Sequence, residues 1–266
     1  RYPDRIFYAI ADDTAQVQIL GKKAKERGVT VPLLMDVDMG QHRTGVPLEK
    51  MQEAYPVWSR ISGIRLCGAH CYDGHRHESD PEVRYSAVKD ADEAFEAIRN
   101  QLESEGMDVS AVIFGGTPSF PCHIRITGDY VSPGTCTLWD LGYQKAYADL
   151  RFTPAAAVLT RVISRPAEDL FTIDLGTKAV ACDPPQPRAG IIGMEYAQIV
   201  MHNEEHMVLR VPSEFIAEIP PVGTVLFAVP YHICPTTALY PEAAVVQEGT
   251  LKDWWKIDAR NRRISV

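Results

Sequence analysis

VPLLMDVDMGQHRTG, Val31 to Gly45, is a nearly continuous apolar run that ends in two aspartates and passes into a loop bounded by glycines. Eight residues without polar alternation predict a strand covered on both faces, the kind found in parallel sheets. Working outward, RIFYAIA (Arg5 to Ala11) predicts a strand, and Asp12 or Asp13 can cap a following helix that ends at Gly28. Pro47 suits the first turn of the next helix, which Pro56 compromises. IRLCGAH (Ile64 to His70) predicts a strand, and Asp80-Pro81 starts a long helix that stops at Gly106. SAVIFGG (Ser110 to Gly116) is another buried strand, with a shorter one near Tyr130. Strand and helix alternating at this spacing means parallel βαβ units.

After about Arg151 the character changes to short β-branched segments: AAAVLTRVIS, LFTIDLG, YAQIVMH, HMVLRV, TVLFAVP and AAVVQEG. Pro166, Pro184-Pro185-Gln186-Pro187 and Pro220-Pro221 punctuate them, which predicts an antiparallel β domain. The expected division is residues 1–150 α/β and 151–266 antiparallel β. A (β/α)8 barrel needs eight strands, and only about five candidates precede the β region. Either the first units of a barrel are missing, or the first half is a small open α/β sheet; the pattern leaves both open.

Bulk properties narrow the function. The 266 residues are 45% hydrophobic and 23% charged, with a formal net charge of −8. An acidic chain without a dense Lys/Arg cluster is not expected to bind nucleic acid. The most basic stretch, Ala259 to Arg263, is expected to be a solvated strand end. No apolar run of about 18 residues is present, so no membrane span is expected. Six cysteines without a CxxC pair, and no signal-peptide segment near Arg1, predict reduced thiols in a cytoplasm. A chain that starts at Arg1 instead of Met is expected to be part of a longer protein.

Four clusters follow predicted strands, where active sites of barrels and open sheets form. Asp36 to Gly45 can aim the Arg43 guanidinium at an anionic or phenolate oxygen, or be a plain loop with a surface arginine. His70-Cys71-Tyr72-Asp73-Gly74-His75-Arg76-His77 supplies three imidazoles able to act as base, shuttle or ligand. Gly115-Gly116-Thr117 and Pro133-Gly134-Thr135 are two Gly-Thr elements, as clasping one phosphate requires, although glycine pairs also make ordinary turns. His232-Ile233-Cys234 places imidazole and thiol on one face if the segment is extended, a pair suited to zinc. Its plainer reading is a buried cysteine beside a structural histidine. Two ligands leave positions for water or substrate, and Glu204-Glu205-His206 can add a ligand or a supporting group.

Taken in order, MDVDMGQHRTGV, YDGH, FGGTPS, SPGT, LWDLGY, DLGTKAV, EEH and YHICPT resemble the D-threonine aldolase and D-serine dehydratase family. The resemblance implies an alanine racemase-type barrel followed by a β domain, pyridoxal 5′-phosphate, a divalent metal (Zn or Mn), a D-amino acid substrate and a homodimer. It implies that Arg43 reaches the cofactor's phenolic oxygen and that Tyr72 contacts its ring. Gly115, Gly116, Thr117, Gly134 and Thr135 would hold its phosphate, and His232 and Cys234 the metal. Tyr72, His75 and His77 form the expected catalytic set, with His77 one place earlier than in the aldolase pattern. Ser132 stands where racemases of this fold carry an arginine for the pyridine nitrogen, which argues against racemase-type chemistry. The family's Schiff-base lysine has no counterpart, since Lys22, Lys23 and Lys25 fall on the polar part of a helix.

The expected reaction is therefore a metal-assisted lyase reaction. In retro-aldol cleavage, His75 or His77 takes the β-hydroxyl proton and a D-threonine-type substrate gives glycine and an aldehyde. Loss of hydroxide from D-serine to pyruvate and ammonia is the alternative. A non-catalytic pyridoxal-phosphate carrier is a further alternative, and the fragment alone is expected to be inactive and poorly soluble.

Overall fold

A computed structural model describes residues 2, 4–127 and 129–261. It divides into two compact units, Arg1–Gly134 and Thr135–Val266. The division lies 16 residues before the expected 150/151 boundary. Thr135 to Leu150 supplies Trp139, Tyr147 and Leu150 to a small apolar cluster, and Asp140 accepts from the Ile233 N–H at 3.0 Å. These contacts tie the segment to the β unit.

The first unit contains β1 (Ala9–Ala11), α1 (Thr14–Glu26), β2 (Val31–Asp38), the short β3 (Val46–Pro47), α2 (Leu48–Ser59), β4 (Ile64–Cys71), α3 (Pro81–Ser104), β5 (Ala111–Phe114), α4 (Phe120–Ile126) and β6 (Tyr130–Val131). The sheet order is β1-β2-β4-β5-β6 and every pairing is parallel, with β3 beside the end of β2. Strands adjacent in sequence are adjacent in the sheet, as in an arc of a (β/α) barrel. A doubly wound sheet reverses its order at a switch point instead. The order therefore fits an arc of a barrel and not a doubly wound sheet. Leu33, Met35 and Val37 from β2, Ala69 and Cys71 from β4, and Val112 and Phe114 from β5 form the core with Met51, Tyr55 and Trp58 of α2.

Two local expectations change. Only Ala9–Ala11 of the Arg5 to Ala11 segment pairs, and Ile6, Phe7 and Ile10 are exposed. Helix α2 runs through Pro56 to Ser59. Buried Met51, Tyr55 and Trp58 anchor it on both sides of the proline, with Tyr55 Oη donating to the Asp108 carbonyl at 2.5 Å and Trp58 Nε1 to Thr14 Oγ1 at 2.8 Å. That packing outweighs the roughly 3 kcal/mol a mid-helix proline costs. Asp13 caps α1 through the Gln16 N–H, and Asp80 caps α3 through the N–H groups of Glu82 and Val83.

The second unit starts with α5 (Leu141–Ala146). Its strands are β7 (Val158–Ala167), β8 (Leu170–Ile173), β9 (Ala189–Ile191), β10 (Gln198–His202), β11 (Met207–Arg210) and β12 (Val225–Pro230). Helix α6 (Ile233–Thr237) and a hairpin of β13 (Glu242–Gln247) and β14 (Thr250–Lys256) follow. The six-stranded sheet has order β10-β11-β8-β7-β12-β9, antiparallel throughout. Val162, Phe171, Ile173, Met207, Leu209 and Ala228 carry its core. Ala259 to Asn261 lie in an exposed 3-10 turn, and Arg262 and Arg263 lie outside the described residues. Among the described residues no helix is long and apolar enough to cross a membrane.

Candidate active site

In the first unit the chemistry-bearing residues gather at the carboxyl ends of the strands. The loop after β2 is wound tightly: Asp38 Oδ1 accepts from the N–H groups of Gly40 and His42, both at 2.9 Å, and its Oδ2 pairs with His42 Nδ1 at 2.8 Å. Gly45 takes φ +111, and a Cβ there would lie 2.4 Å from the Asp38 nitrogen, so only glycine lets the loop fold back on its strand. This winding presents the exposed Arg43 guanidinium 4.5 Å from the centroid of the Tyr72 ring. The same ring lies over Gly74, where a Cβ would come within 2.4 Å of it, and 3.4 Å from a Cβ placed on Gly116. Tyr72 thus brings together the loops after β2, β4 and β5.

The histidines divide. His70 Nδ1 pairs with Asp36 Oδ1 at 2.8 Å. Burial alone would raise the Asp36 carboxyl, but the His70 and Thr44 hydrogen bonds hold it below its usual range. His75 is half-buried, its Nδ1 has no partner among the described residues, and its Nε2 lies 3.4 Å from a Cβ built on Gly40. Burial, then the Arg76 charge, pushes His75 down, which keeps its imidazole neutral near pH 7. His77 is exposed.

The glycine pair behaves differently from the expected phosphate grip. The Gly115 N–H donates to the Cys71 carbonyl at 2.9 Å. The Gly116 N–H is shared between Asp73 Oδ1 and Ser119 Oγ, both at 3.0 Å. Both amides point inward, so these residues shape the loop instead of offering donors. Thr117 is buried. Gly134 has open space around it, with nothing within 4 Å of a Cβ.

A buried network that sequence reasoning missed stands behind these loops. Ser119 Oγ donates to Asp73 Oδ1 at 2.6 Å, His123 Nε2 meets Asp73 Oδ2 at 3.1 Å, and His123 Nδ1 meets Asp92 Oδ2 at 2.8 Å. A signal existed: Asp92 lies on the apolar stripe of α3, in register with Val88 and Phe95.

In the second unit His232 and Cys234 do come together, though not on an extended segment. His232 is the N-cap of α6 and Cys234 lies in its first turn. Asp140, fully buried, fixes this turn by accepting from the Ile233 N–H at 3.0 Å and from the Tyr143 N–H at 2.9 Å. His232 Nδ1 meets Asp183 Oδ2 at 2.5 Å, and the Thr135 hydroxyl lies 3.4 Å from Cys234 Sγ. Thr135 therefore attends the thiol. The hydrogen bond with Cys234, followed by that with Asp183, pushes His232 up to about 9. The His232 hydrogen bond in turn lowers the Cys234 thiol.

A thiol with a lowered pKa and an imidazole whose Nδ1 is held by a carboxylate are donors of the type found in carboxylate–histidine–metal arrangements. Among the described residues no group of three or more potential ligands occurs. Glu204 and Glu205 do not join them; they pair with Lys178 at 2.8 and 2.5 Å on the surface. Asp183, in Cys182-Asp183-Pro184-Pro185, was masked in the sequence by its proline-rich surroundings.

Residues 7–140 match the model of the alanine racemase N-terminal domain, and residues 155–246 that of a putative serine dehydratase domain. A D-threonine aldolase from Arthrobacter sp. is 30% identical over 257 residues, which is 94% of this chain and 66% of that protein. The chain belongs to the D-threonine aldolase and D-serine dehydratase-like family. It spans about two-thirds of the length of the family members it matches. D-threo-3-hydroxyaspartate dehydratase from Delftia sp. strain HT23 is 25% identical, over 93% of this chain and 71% of that protein. The crystal structure of D-threonine aldolase from Filomicrobium marinum superposes with a TM-score of 0.87 at 23% identity, covering 96% of this chain and 69% of that one, which shows the family's racemase-type fold. Solved structures of D-threo-3-hydroxyaspartate dehydratase include a histidine-to-alanine variant and, two positions on, a cysteine-to-alanine variant in the metal-free form.

Proposed function

We propose that this chain is the larger part of a metal-assisted, pyridoxal-phosphate-dependent lyase that cleaves β-hydroxy D-amino acids of the D-threonine type to glycine and an aldehyde. The observation that carries this reading is the His232–Cys234 pair with Asp183 on the outer imidazole nitrogen. A pair so arranged suits zinc or manganese with coordination positions left for a substrate hydroxyl. The two-residue spacing of the histidine and cysteine variants of D-threo-3-hydroxyaspartate dehydratase, one of them metal-free, supports it.

When bound, the cofactor supplies an electron sink at Cα and the metal a Lewis acid for the β-oxygen. Arg43 and Tyr72 would hold the cofactor ring, the cation resting on the phenol face. Gly116 lies against Tyr72, and Gly115, Gly116, Thr117, Gly134 and Thr135 are the residues that the family resemblance assigns to the phosphate. His75, neutral near pH 7 and with an unpartnered Nδ1, is the better base of the two candidate histidines. In the retro-aldol reaction it takes the β-hydroxyl proton, the Cα–Cβ bond breaks, the aldehyde C=O forms on Cβ, and Cα is reprotonated to glycine. No lysine of these residues matches the family's Schiff-base lysine: Lys22, Lys23 and Lys25 lie on α1. A homodimer in the cytoplasm, free of nucleic acid and membrane, completes the reading.

Dehydration is the second reading, favoured by the cysteine of the metal pair and by the similarity to the Delftia enzyme. The test is to assay the intact protein with D-threonine for glycine and acetaldehyde, and with D-serine for pyruvate and ammonia. Glycine release supports the aldolase. Pyruvate without glycine transfers the assignment to a dehydratase. Neither product, from protein that binds pyridoxal phosphate, favours a non-catalytic carrier.

A further inference from the structure

His123 belongs to none of the family motifs by which the chain was read, yet it is 1% exposed and sits at the centre of the first unit's buried polar network. Both of its ring nitrogens face carboxylate oxygens, Nε2 toward Asp73 at 3.1 Å and Nδ1 toward Asp92 at 2.8 Å. Asp92 and Asp73 are themselves 0% and 4% exposed. The Phe114 ring stacks on the imidazole, with centroids 4.8 Å apart and 19° between planes. Asp73 follows Tyr72 directly, and its Oδ1 holds both the Ser119 hydroxyl and the Gly116 N–H. A Cβ on Gly115 would lie 2.8 Å from His123 Cδ2, so the ring also fills the space beneath the glycine loop.

We infer that His123, held between Asp73 and Asp92, is the positioning residue that locks the Tyr72–His75 loop to the Gly115–Ser119 loop and anchors both to helix α3. The functional consequence rests on the cofactor reading above, in which Tyr72 and the glycine loop bound the ring and phosphate.

Burial pushes the Asp92 carboxyl up, and its hydrogen bond with His123 pulls it back. A cationic imidazole can donate to both carboxylates at once, which a neutral one cannot. Burial opposes that charge, but the hydrogen bonds to Asp73 and Asp92 outweigh it and push His123 up to about 9. Asp73 accepts from three donors: the Gly116 N–H, the Ser119 hydroxyl and His123 Nε2. Without the His123 ring, Asp73 loses the partner of its Oδ2, and the rotamer that holds both loops is no longer fixed. Asp92 reaches the site only through His123, so it acts one step further away.

The test uses the intact protein and the variants His123→Gln and Asp92→Asn, with Val112→Ala in β5 as a core control. Hydrogen exchange resolved to single amides reads the lock directly and needs no cofactor. The expected result is that the Gly116 amide exchanges about tenfold faster or more in His123→Gln, with Met35 in β2 unchanged. Asp92→Asn, which keeps the shape of the network, should move Gly116 in the same direction and decides the matter if His123→Gln does not fold. Val112→Ala should raise exchange across the core without singling out Gly116. Gly116 exchange within twofold of wild type in the folded variants, or a rise equal to that of Met35, overturns the inference. Absorbance titration with pyridoxal phosphate is the second measurement: His123→Gln should weaken Kd about tenfold and Val112→Ala by less than twofold. Wild-type protein that binds no pyridoxal phosphate counts against the proposed function, and the exchange data alone then decide whether the lock exists.

Discussion

Replacing Asp183 by asparagine should weaken metal binding about tenfold, close to 1.4 kcal/mol. The contact at stake is His232 Nδ1 to Asp183 Oδ2 at 2.5 Å, with the two side chains 37% and 52% exposed. Two unit charges about 4 Å apart, roughly the distance between the charge centres of such a pair, interact by about 1 kcal/mol in water and about 4 kcal/mol near a protein surface. Exposure of both partners places the pair toward the lower end. Asparagine keeps an acceptor for the Nδ1 proton but removes the charge that makes the distal nitrogen a stronger donor, so the loss is partial. The assay is competition for zinc between the metal-free protein and a chromophoric chelator at fixed pH and low salt. His232→Gln serves as the reference for a lost ligand and should abolish stoichiometric binding. An Asp183→Asn protein that binds zinc within twofold of wild type, beside a His232→Gln protein that does not bind, would refute the idea that Asp183 tunes this imidazole.

Arg43→Ala should weaken pyridoxal-phosphate binding about tenfold by absorbance titration yet leave the melting temperature within about 2 °C, since the side chain is exposed and its packing is confined to the Tyr72 face. Gly68→Ala would put a Cβ 1.9 Å from the Ala111 carbonyl oxygen and force β5 from β4. It should cost about 4 kcal/mol or more, whereas Gly134→Ala, with open space around it, should change stability by less than about 0.5 kcal/mol in chemical denaturation. His123 has a folded value of about 9 against 6.5 for the free side chain, so the stability it contributes is complete below pH 6.5 and is lost as the pH rises through 9. His232 titrates in the same window in metal-free protein. The melting temperature should therefore fall between pH 7 and 9.5, less steeply in His123→Gln than in wild type; parallel slopes would exclude His123 as a source.

Much of this was legible in the linear chain because it is local. The nearly continuous apolar run Val31 to Asp38 predicted a strand with those bounds, and Asp80-Pro81 and Gly106 bracketed α3, because caps and proline act within a few residues. Arg43, Tyr72 and the glycine loop follow successive parallel strands, so their meeting at one end of the sheet follows from right-handed βαβ connection. His232 and Cys234 are two residues apart and were bound to be neighbours, whatever the backbone between them.

Partners far apart in sequence were not legible. Asp183 lies 49 residues before His232, and His123 lies 31 residues from Asp92 and 50 from Asp73; no periodicity connects them. The direction of the Gly115 and Gly116 amides was equally hidden, since a glycine pair permits a phosphate cradle and an inward turn alike, and the buried Asp73 and Ser119 chose the second. Pro56 misled for the same reason: a local rule broke the helix, and contacts from Tyr55 and Trp58 to residues 53 and 44 positions away held it. Sequence by itself determined the strands, the caps and the residues offered to the site. Tertiary structure decided which carboxylate faces which imidazole, because burial and charge pairing depend on distances that the chain sets only once it has folded.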